Sequence, residues 1–520
     1  MSNRLRLLAS SILINFAIVG GASADDKSQN MNAFERFAYG EQPLSDGIDY
    51  FTNQPQSAAT TFQLAAVQFL YAVEGLQQDL HRLGAGNTSI GDRFTRRAIP
   101  ILRIPVPKNE APETATYEDT RQILSTFVAR LENVDEALDT IMPEEFSVDI
   151  DLFKLAVDAN SDGVVTPDER LLALFPLINP NVRPSEIDGM IEEAGLNAMQ
   201  ISFDVADAKW LQGYANLLAG TGKLILAFDY ERTYNISAQH IFGDNANQVG
   251  QLFSALRGDP AEIEALQSEI DALSKQMDDA RLTTEERRRF SDYSRLNSEI
   301  SGNNELTESQ KRTRIAEFMP ELTALSKKQD RYNVLRGQVR TKQEELSRLT
   351  LGVSGLRDIA STLFEPVAFI HSINWPVENA EMLAEVRGHW LKVMKLNHET
   401  WSLVAGETDD NNEWLPNPNQ TAPFDGITVS QEQINAWLVL AEMGEKVLNG
   451  ELLIPSWRLP AGINVKTFFE TAEKFDLVSF ATGHESVLYA EKGAMIDQRE
   501  LRDLTRSLGR NIGLFAVWFN

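Results

Sequence analysis

The chain has 520 residues, a formal net charge of −27 and no cysteine. An acidic excess of this size is repelled by nucleic acid and by anionic membrane surfaces, which excludes both as electrostatic partners. Without cysteine there is no disulfide framework and no thiolate metal site, so packing alone must hold a chain long enough for several hydrophobic cores.

Residues 1–24 read as an export signal. Arg4 and Arg6 make a positive start, Leu7 to Val19 is mostly apolar, and Ala22-Ser23-Ala24 is a small-residue cleavage site before Asp25-Asp26. Ser10, Ser11 and Asn15 interrupt an apolar stretch already short for a membrane anchor. The expectation is an exported protein, periplasmic or secreted, with no integral membrane segment after cleavage. Trp210–Tyr230 comes closest to a later span, but Gln212, Asn216 and Lys223 make it a buried helix.

Residues 25–145 form a predicted helical region. Within it, 57–84 (with Phe62, Leu64, Val67, Phe69, Leu70, Val73, Leu76 and Leu80) and 117–142 have amphipathic spacing.

Residues 158–169 read DANSDGVVTPDE and name a chemistry. Asp158, Asn160 and Asp162 put side-chain oxygens at alternate positions, Gly163 supplies a sharp turn, and Glu169 closes the twelve. The segment resembles the calcium-binding loop of the EF-hand family. That resemblance implies Ca²⁺ as cofactor, held by the side chains of Asp158, Asn160 and Asp162, the carbonyl of Val164, Thr166 (often through water) and a bidentate Glu169. Val165 takes the apolar position that bridges to a neighbouring loop. Oxygen ligands with no His or Cys favour Ca²⁺ over transition metals, and Mg²⁺ demands a smaller, octahedral shell. Ile150, Phe153 and Val157 predict an entering helix, and Thr166-Pro167-Asp168-Glu169 predicts the start of an exiting one, continued by Ala173, Leu174 and Leu177.

EF-hands pair, and a degenerate second loop is expected at 194–205. Pro184-Ser185-Glu186 opens a helical run containing Ile187, Met190 and Ile191. Ala194, Leu196, Ala198 and Val205 then stand at ligand positions and cannot hold a cation. Ile201 lies 36 residues after Val165 and is the predicted bridge partner, with Ser202 as helix cap. The same stretch also reads as an ordinary helix–strand–helix connection. The predicted pair and its following helix occupy 146–235, with a helix over 204–235, and 236–258 is a connector.

Between 259 and 350 the composition turns to Glu, Gln, Lys, Arg and Leu. Ile263, Leu266, Ile270, Leu273, Met277 and Ala280 make a heptad seam; Ile315, Phe318, Leu322, Leu325, Tyr332, Leu335, Val339, Leu346 and Leu349 answer it. Ser301-Gly302-Asn303-Asn304 is the predicted turn of an antiparallel hairpin. Folding there places Pro320 opposite Glu286, so both arms should bend at one level. The hairpin reads either as a solvated helical pair or as an arm for a protein partner.

Residues 351–520 are expected to be helical over 352–372 and 376–404 and α+β near the end, where 452–459, 462–469 and 476–482 are short apolar runs. No catalytic motif stands out. The six histidines are scattered; Glu385 and His389, one turn apart, fit a surface charge pair better than a metal site. Asp409-Asp410-Asn411-Asn412-Glu413 with Asp425-Gly426 is an acidic loop whose spacing fits no known site.

The predicted fold is mainly α: multi-helical, with an EF-hand-like helix-loop-helix pair, a long antiparallel coiled-coil hairpin and a small α+β C-terminal part. The predicted function is that of an exported calcium-binding protein, non-enzymatic, with one structural Ca²⁺ site. The alternative is an exported hydrolase or other enzyme with calcium as accessory and an active site in the C-terminal region.

Overall fold

The computed structural model describes residues 32–85, 106–142, 144–171, 200–243, 246, 259–303, 305–351, 364–408, 410, 413–420 and 429–509. Over these the protein is mainly α, with a few short antiparallel strands. In chain order the principal helices are α1 (Ala33–Ala38), α2 (Leu44–Thr52), α3 (Ala58–Arg82), α4 (Tyr117–Asp139), α5 (Val205–Leu226), α6 (Pro260–Ala280), α7 (Thr284–Gly302), α8 (Glu308–Ala316), α9 (Met319–Leu351), α10 (Ala380–Val404) and α11 (Gln431–Leu448). The strands are β1 (Val148–Asp151), β2 (Gln200–Phe203), β3 (Asn374–Pro376), β4 (Ile454–Pro455), β5 (Gly462–Ile463), β6 (Lys474–Asp476) and β7 (Ala490–Glu491). They pair as β1–β2, β3–β6 and β4–β5–β7.

Local sequence sets most helix starts. Asn32 with Glu35, Ser57 with Thr60, Thr116 with Asp119, Asp204 with Asp207, Thr283 with Glu286, Thr307 with Gln310 and Ser430 with Gln433 each form a reciprocal capping box, which satisfies orphan N–H groups of the first turn.

The chain divides into two compact units, one made of residues up to 250 together with those from 369 onward, the other of 251–368. In the first, α3, α4, α5 and α10 pack side by side around a core that includes Phe34, Phe62, Leu131, Leu138, Ile201 and Trp401, all nearly sealed from solvent. Burial of each such side chain contributes about 1.5–3 kcal/mol. Glycines on α5 let its neighbours in close: Gly220 faces Trp390 and His389 of α10, and Gly222 faces Val128 of α4. Among the described residues no helix is long and apolar enough to cross a membrane.

Five expectations in this unit need correction. Residues 148–151 are a strand, not part of an entering helix: Val148 and Ile150 are buried while Asp149 is exposed, and Ile150 pairs with Ile201 across β1–β2. Ile201 therefore bridges to Ile150 and not to Val165. Ser202 lies within β2 and bonds Asp149, so Asp204 caps α5 instead, accepting from Ala206 and Asp207 N–H. The helix predicted over 204–235 stops at Leu226 because the next backbone groups turn to other partners: Ala227 C=O accepts from Glu378 N–H at 2.8 Å, and Asp229 N–H donates to Pro376 C=O at 2.9 Å. A separate helix runs Glu231–Ser237. Likewise 374–376 is strand β3, and α10 begins only at Ala380 under an Asn379 cap. The continuation of the predicted exiting helix beyond Leu171, the run 184–191 and the predicted ligand positions 194–198 lie outside the described residues, as do 352–363.

The second unit is an antiparallel helical hairpin. Lys342 meets Glu269 at 3.0 Å, Lys328 meets Glu286 at 2.8 Å, Arg289 meets Glu321 at 2.8 Å, and Tyr293 stacks on Phe318 at 5.5 Å, so partners in one arm fall as those in the other rise. Leu266, Ile270, Leu325, Leu335 and Val339 of the heptad seam are buried. The predicted common bend is corrected. The first arm breaks between Ala280 and Thr284, the second between Ala316 and Met319, and Phe318 is level with Tyr293, ten residues or about 15 Å beyond the first break. Pro320 sits in the first turn of α9, where its missing N–H costs nothing, and so opens a helix instead of kinking one.

Candidate metal centre

After β1, Asp151 caps a single 3₁₀ turn (Leu152–Lys154) by accepting Phe153 N–H at 3.1 Å. The chain then forms a closed loop. Val157 N–H donates to Glu169 C=O at 3.2 Å and Leu171 N–H to Leu155 C=O at 2.9 Å, which ties the two ends together antiparallel. Inside this frame the sequence folds on its own side chains. Asp158 accepts from Asp162 N–H (3.2 Å) and Gly163 N–H (2.9 Å); Asn160 Oδ1 accepts from Asp162 N–H (2.9 Å); Asp162 accepts from Val164 N–H (2.8 Å). These are Asx-type turns, short polar side chains bonding backbone a few residues on. Ser161 (φ 61°) and Gly163 (φ 78°) flank Asp162 in the left-handed region. A Cβ on Gly163 would meet nothing within 4 Å, so glycine is there for its backbone angle and not for room.

Glu169 arrives by a single 3₁₀ turn, Pro167–Glu169, and the predicted exiting helix does not continue from it: Arg170 is extended (ψ 152°) and bridges Ala156, because its neighbours' backbone groups pair with the entering strand-like segment. The Glu169 side chain is buried and folds back over the loop: Oε1 accepts from Ala159 N–H at 2.9 Å, and Oε2 accepts from Thr166 N–H at 2.8 Å and from the Thr166 hydroxyl at 2.9 Å. Val164 is exposed at the loop tip. Asp158, Asn160, Asp162, Thr166 and Glu169 thus belong to one hydrogen-bonded loop, and their donor atoms are all oxygens apart from the Asn160 amide nitrogen, which is occupied with Asp162 at 2.9 Å. Among the described residues no three His, Asp or Glu side chains converge as a group that could hold a metal ion. The loop carboxylates face its own amides, and a cation would have to draw them together.

The loop docks on helices. Val165 packs against Gly40, whose φ of 81° and missing Cβ make space for it, and Ala156 N–H donates to Ala38 C=O at 3.0 Å. From α3, Glu74 accepts Asp158 N–H at 3.0 Å and Gln78 Nε2 donates to Asp158 C=O at 2.8 Å. Burial pushes the Glu74 carboxyl up to about 7; the Asp158 N–H and Arg130 work against that shift, while the Asp158 and Glu169 charges add to it. Neither Glu74 nor Gln78 was singled out from sequence, where both read as polar positions of an amphipathic helix.

A second polar cluster lies between α4, α5 and α10. Lys223 pairs with Glu132 (2.5 Å) and Glu385 (2.6 Å), and Lys392 with Asp135 (2.8 Å) and Asp139 (2.7 Å). The buried amides of Gln212 and Asn216 donate to Asp135. Glu385 and His389 do share this neighbourhood, but the Lys223 ammonium already supplies the cation there. An open depression of about 710 Å³ beside it is lined by Asp139, Lys392, Lys395, His398, Glu399 and Glu445, among others. Glu399 is paired with Lys209 and Lys395, as on an ordinary solvated surface. Most of the acidic loop at 409–426 lies outside the described residues.

Comparison with protein-family models, curated proteins and solved structures gives no match to this chain.

Proposed function

We propose that residues 158–169 form a single EF-hand-type Ca²⁺ site, that the ion acts as a structural staple, and that the protein is exported and non-enzymatic. The observation that carries this reading is the loop's own geometry. Left-handed Ser161 and Gly163 turn the backbone around Asp162, and Asp158, Asn160, Asp162 and a buried Glu169 surround the same short segment with side-chain oxygens. Three carboxylates, an amide oxygen, a hydroxyl and the Val164 carbonyl suit a hard cation that takes 6–8 oxygens at 2.3–2.6 Å. When bound, Ca²⁺ would neutralise carboxylates that otherwise repel one another and replace their bonds to loop amides. Outside a cell calcium is plentiful, so a site with a dissociation constant on the order of 10⁻⁴ M would stay filled.

The loop's attachments give the staple something to hold. Among the described residues it is fixed to α1 and α3, so an ion in it would secure the N-terminal helices to the segment that follows β1. The hairpin at 259–350 is proposed as the surface that meets a protein partner. Titration calorimetry of the purified protein with Ca²⁺ tests the site: one ion per chain, with a clear loss in Glu169→Gln, is the expected result. Two equal sites, or no change in the variant, would sink the one-site reading.

A further inference from the structure

Helix α3 reaches the loop through two side chains one turn apart, and both act on the same residue. Glu74 takes the N–H of Asp158 and Gln78 takes its C=O. Asp158 is the residue that opens the ligand set, and its carboxylate in turn accepts from the amides of Asp162 and Gly163. The peptide groups on both sides of Asp158 are thereby anchored to a helix more than seventy residues upstream, which fixes the direction in which its Cα–Cβ bond leaves the backbone.

Glu74 is itself held in place. It is half-buried and faces the Arg130 guanidinium electrostatically; that guanidinium lies 4.1 Å from the centroid of Tyr71 and donates to the Tyr71 carbonyl at 3.1 Å. Glu74 meets Asp158 at its main-chain N–H, whereas the Asp158 side-chain oxygens turn to the loop amides of 162 and 163. Its oxygen thus supports the backbone of a ligand residue and does not extend the ring of ligand oxygens.

We propose that Glu74 and Gln78 are positioning residues of the metal centre, which present Asp158 to the cation and couple occupation of the loop to the packing of α3. The proposal rests on reading 158–169 as a Ca²⁺ site. Groups that orient a metal ligand from behind tune affinity by about tenfold or more when removed, because the ligand must then be ordered at the moment of binding.

The test compares Ca²⁺ affinity by calorimetry in the unmodified protein, Glu74→Ala, Glu74→Gln and Gln78→Ala, with amide hydrogen exchange of Asp158 in chelator as a readout independent of the ion. Glu74→Ala should weaken Ca²⁺ about tenfold and deprotect the Asp158 amide. Glu74→Gln keeps an oxygen that can accept the amide and should restore both to within about threefold. Gln78→Ala, which leaves Glu74 untouched, should weaken Ca²⁺ severalfold and serves where Glu74→Ala fails to fold. Equal affinity in the unmodified protein, Glu74→Ala and Gln78→Ala would overturn the positioning role alone. Loss in Glu74→Gln as large as in Glu74→Ala would overturn it too, since charge and not the hydrogen bond would then be at work. No Ca²⁺ binding by the unmodified protein would overturn the cation site, and the positioning role with it.

Discussion

His389 Nδ1 lies 2.8 Å from Asn216 Oδ1, and the Asn216 amide nitrogen is already committed to Asp135 and to the Gln212 carbonyl. The oxygen of Asn216 can therefore only accept, so the imidazole carries its proton on Nδ1 and turns Nε2 toward Glu132, 3.6 Å away.

This arrangement predicts a pH dependence. Burial, followed by the Lys223 ammonium of α5, holds the His389 pKa below its ordinary value; Glu132 and Asp135 of α4 and Glu385 of its own helix oppose that shift without reversing it. Between the folded and unfolded values the unfolded chain binds more protons, so stability rises with pH through that window and is lost as pH falls below about 6.5. The melting temperature should fall less steeply from pH about 6.5 to about 5 in His389→Gln than in the unmodified protein. Identical slopes would count against a neutral, buried His389.

A second prediction concerns the contact of α4 with α5. A Cβ on Gly222 would collide with Cγ2 of buried Val128, whose branched side chain has little freedom to yield. Gly222→Ala should destabilise the protein by about 1–3 kcal/mol. Gly388 of α10 is exposed with nothing near its missing Cβ, so Gly388→Ala should stabilise by about 0.5–1 kcal/mol. Chemical denaturation compares the two, and a shared sign would refute the packing argument.

Gly163→Ala separates backbone angle from space. No atom lies in the way, yet φ of 78° costs an L-residue about 1–2 kcal/mol. Weaker Ca²⁺ binding is expected, with Gly163→Asn milder than Gly163→Ala because asparagine enters the left-handed region more readily. Affinities equal to that of the unmodified protein would mean that the turn does not govern the site.

Glu169→Gln should act even without calcium. A glutamine must point its NH₂ at Ala159 N–H or at the Thr166 donors, so one of the bonds now made by the carboxylate is lost. Loss of about 1 kcal/mol in chelator is expected, in addition to the loss of the ion. A melting temperature unchanged in chelator would contradict the buried position of Glu169.

Calcium should hold a shape and not switch one. Saturation at a hundred times the dissociation constant should add about 2.7 kcal/mol of stability, seen as a rise in melting temperature. The loop is docked on α1 and α3 by bonds that do not need an ion, so a dye for apolar surface should report little change on calcium addition. A large, reversible dye signal absent from Asp158→Ala would identify a sensor instead.

What could be read beforehand was local. Capping pairs such as Thr283 with Glu286 mark true helix starts, and Leu266, Ile270, Leu325, Leu335 and Val339 of the predicted seam are buried, while Ile263, Leu273, Met277 and Leu322 are half-buried, as in a two-helix pair open to solvent on its flanks. The run Ile150, Phe153, Val157 misled because four residues of alternation, Val148 to Asp151, are too few to separate a period of two from one of 3.6; pairing with β2, some fifty residues away, decides it. The hairpin register slipped for a similar reason. The Thr307–Gln310 cap starts α8 several residues beyond the glycine that looked like the turn, which carries every opposing pair with it. Glu74 and Gln78 could not have been found at all, since their partner lies about eighty residues downstream and nothing in an amphipathic pattern tells a solvated carboxylate from one aimed at a backbone amide.

The two interruptions of the hairpin are offset as joints are in bricklaying. Beside the gap between Ala280 and Thr284 runs the unbroken α9, and beside the gap between Ala316 and Met319 runs the unbroken α7. Among the described residues no cross-section of the hairpin severs both courses at once. Over the described residues a sideways load is therefore borne at every level by at least one continuous rod, so a break in one arm is splinted by the other.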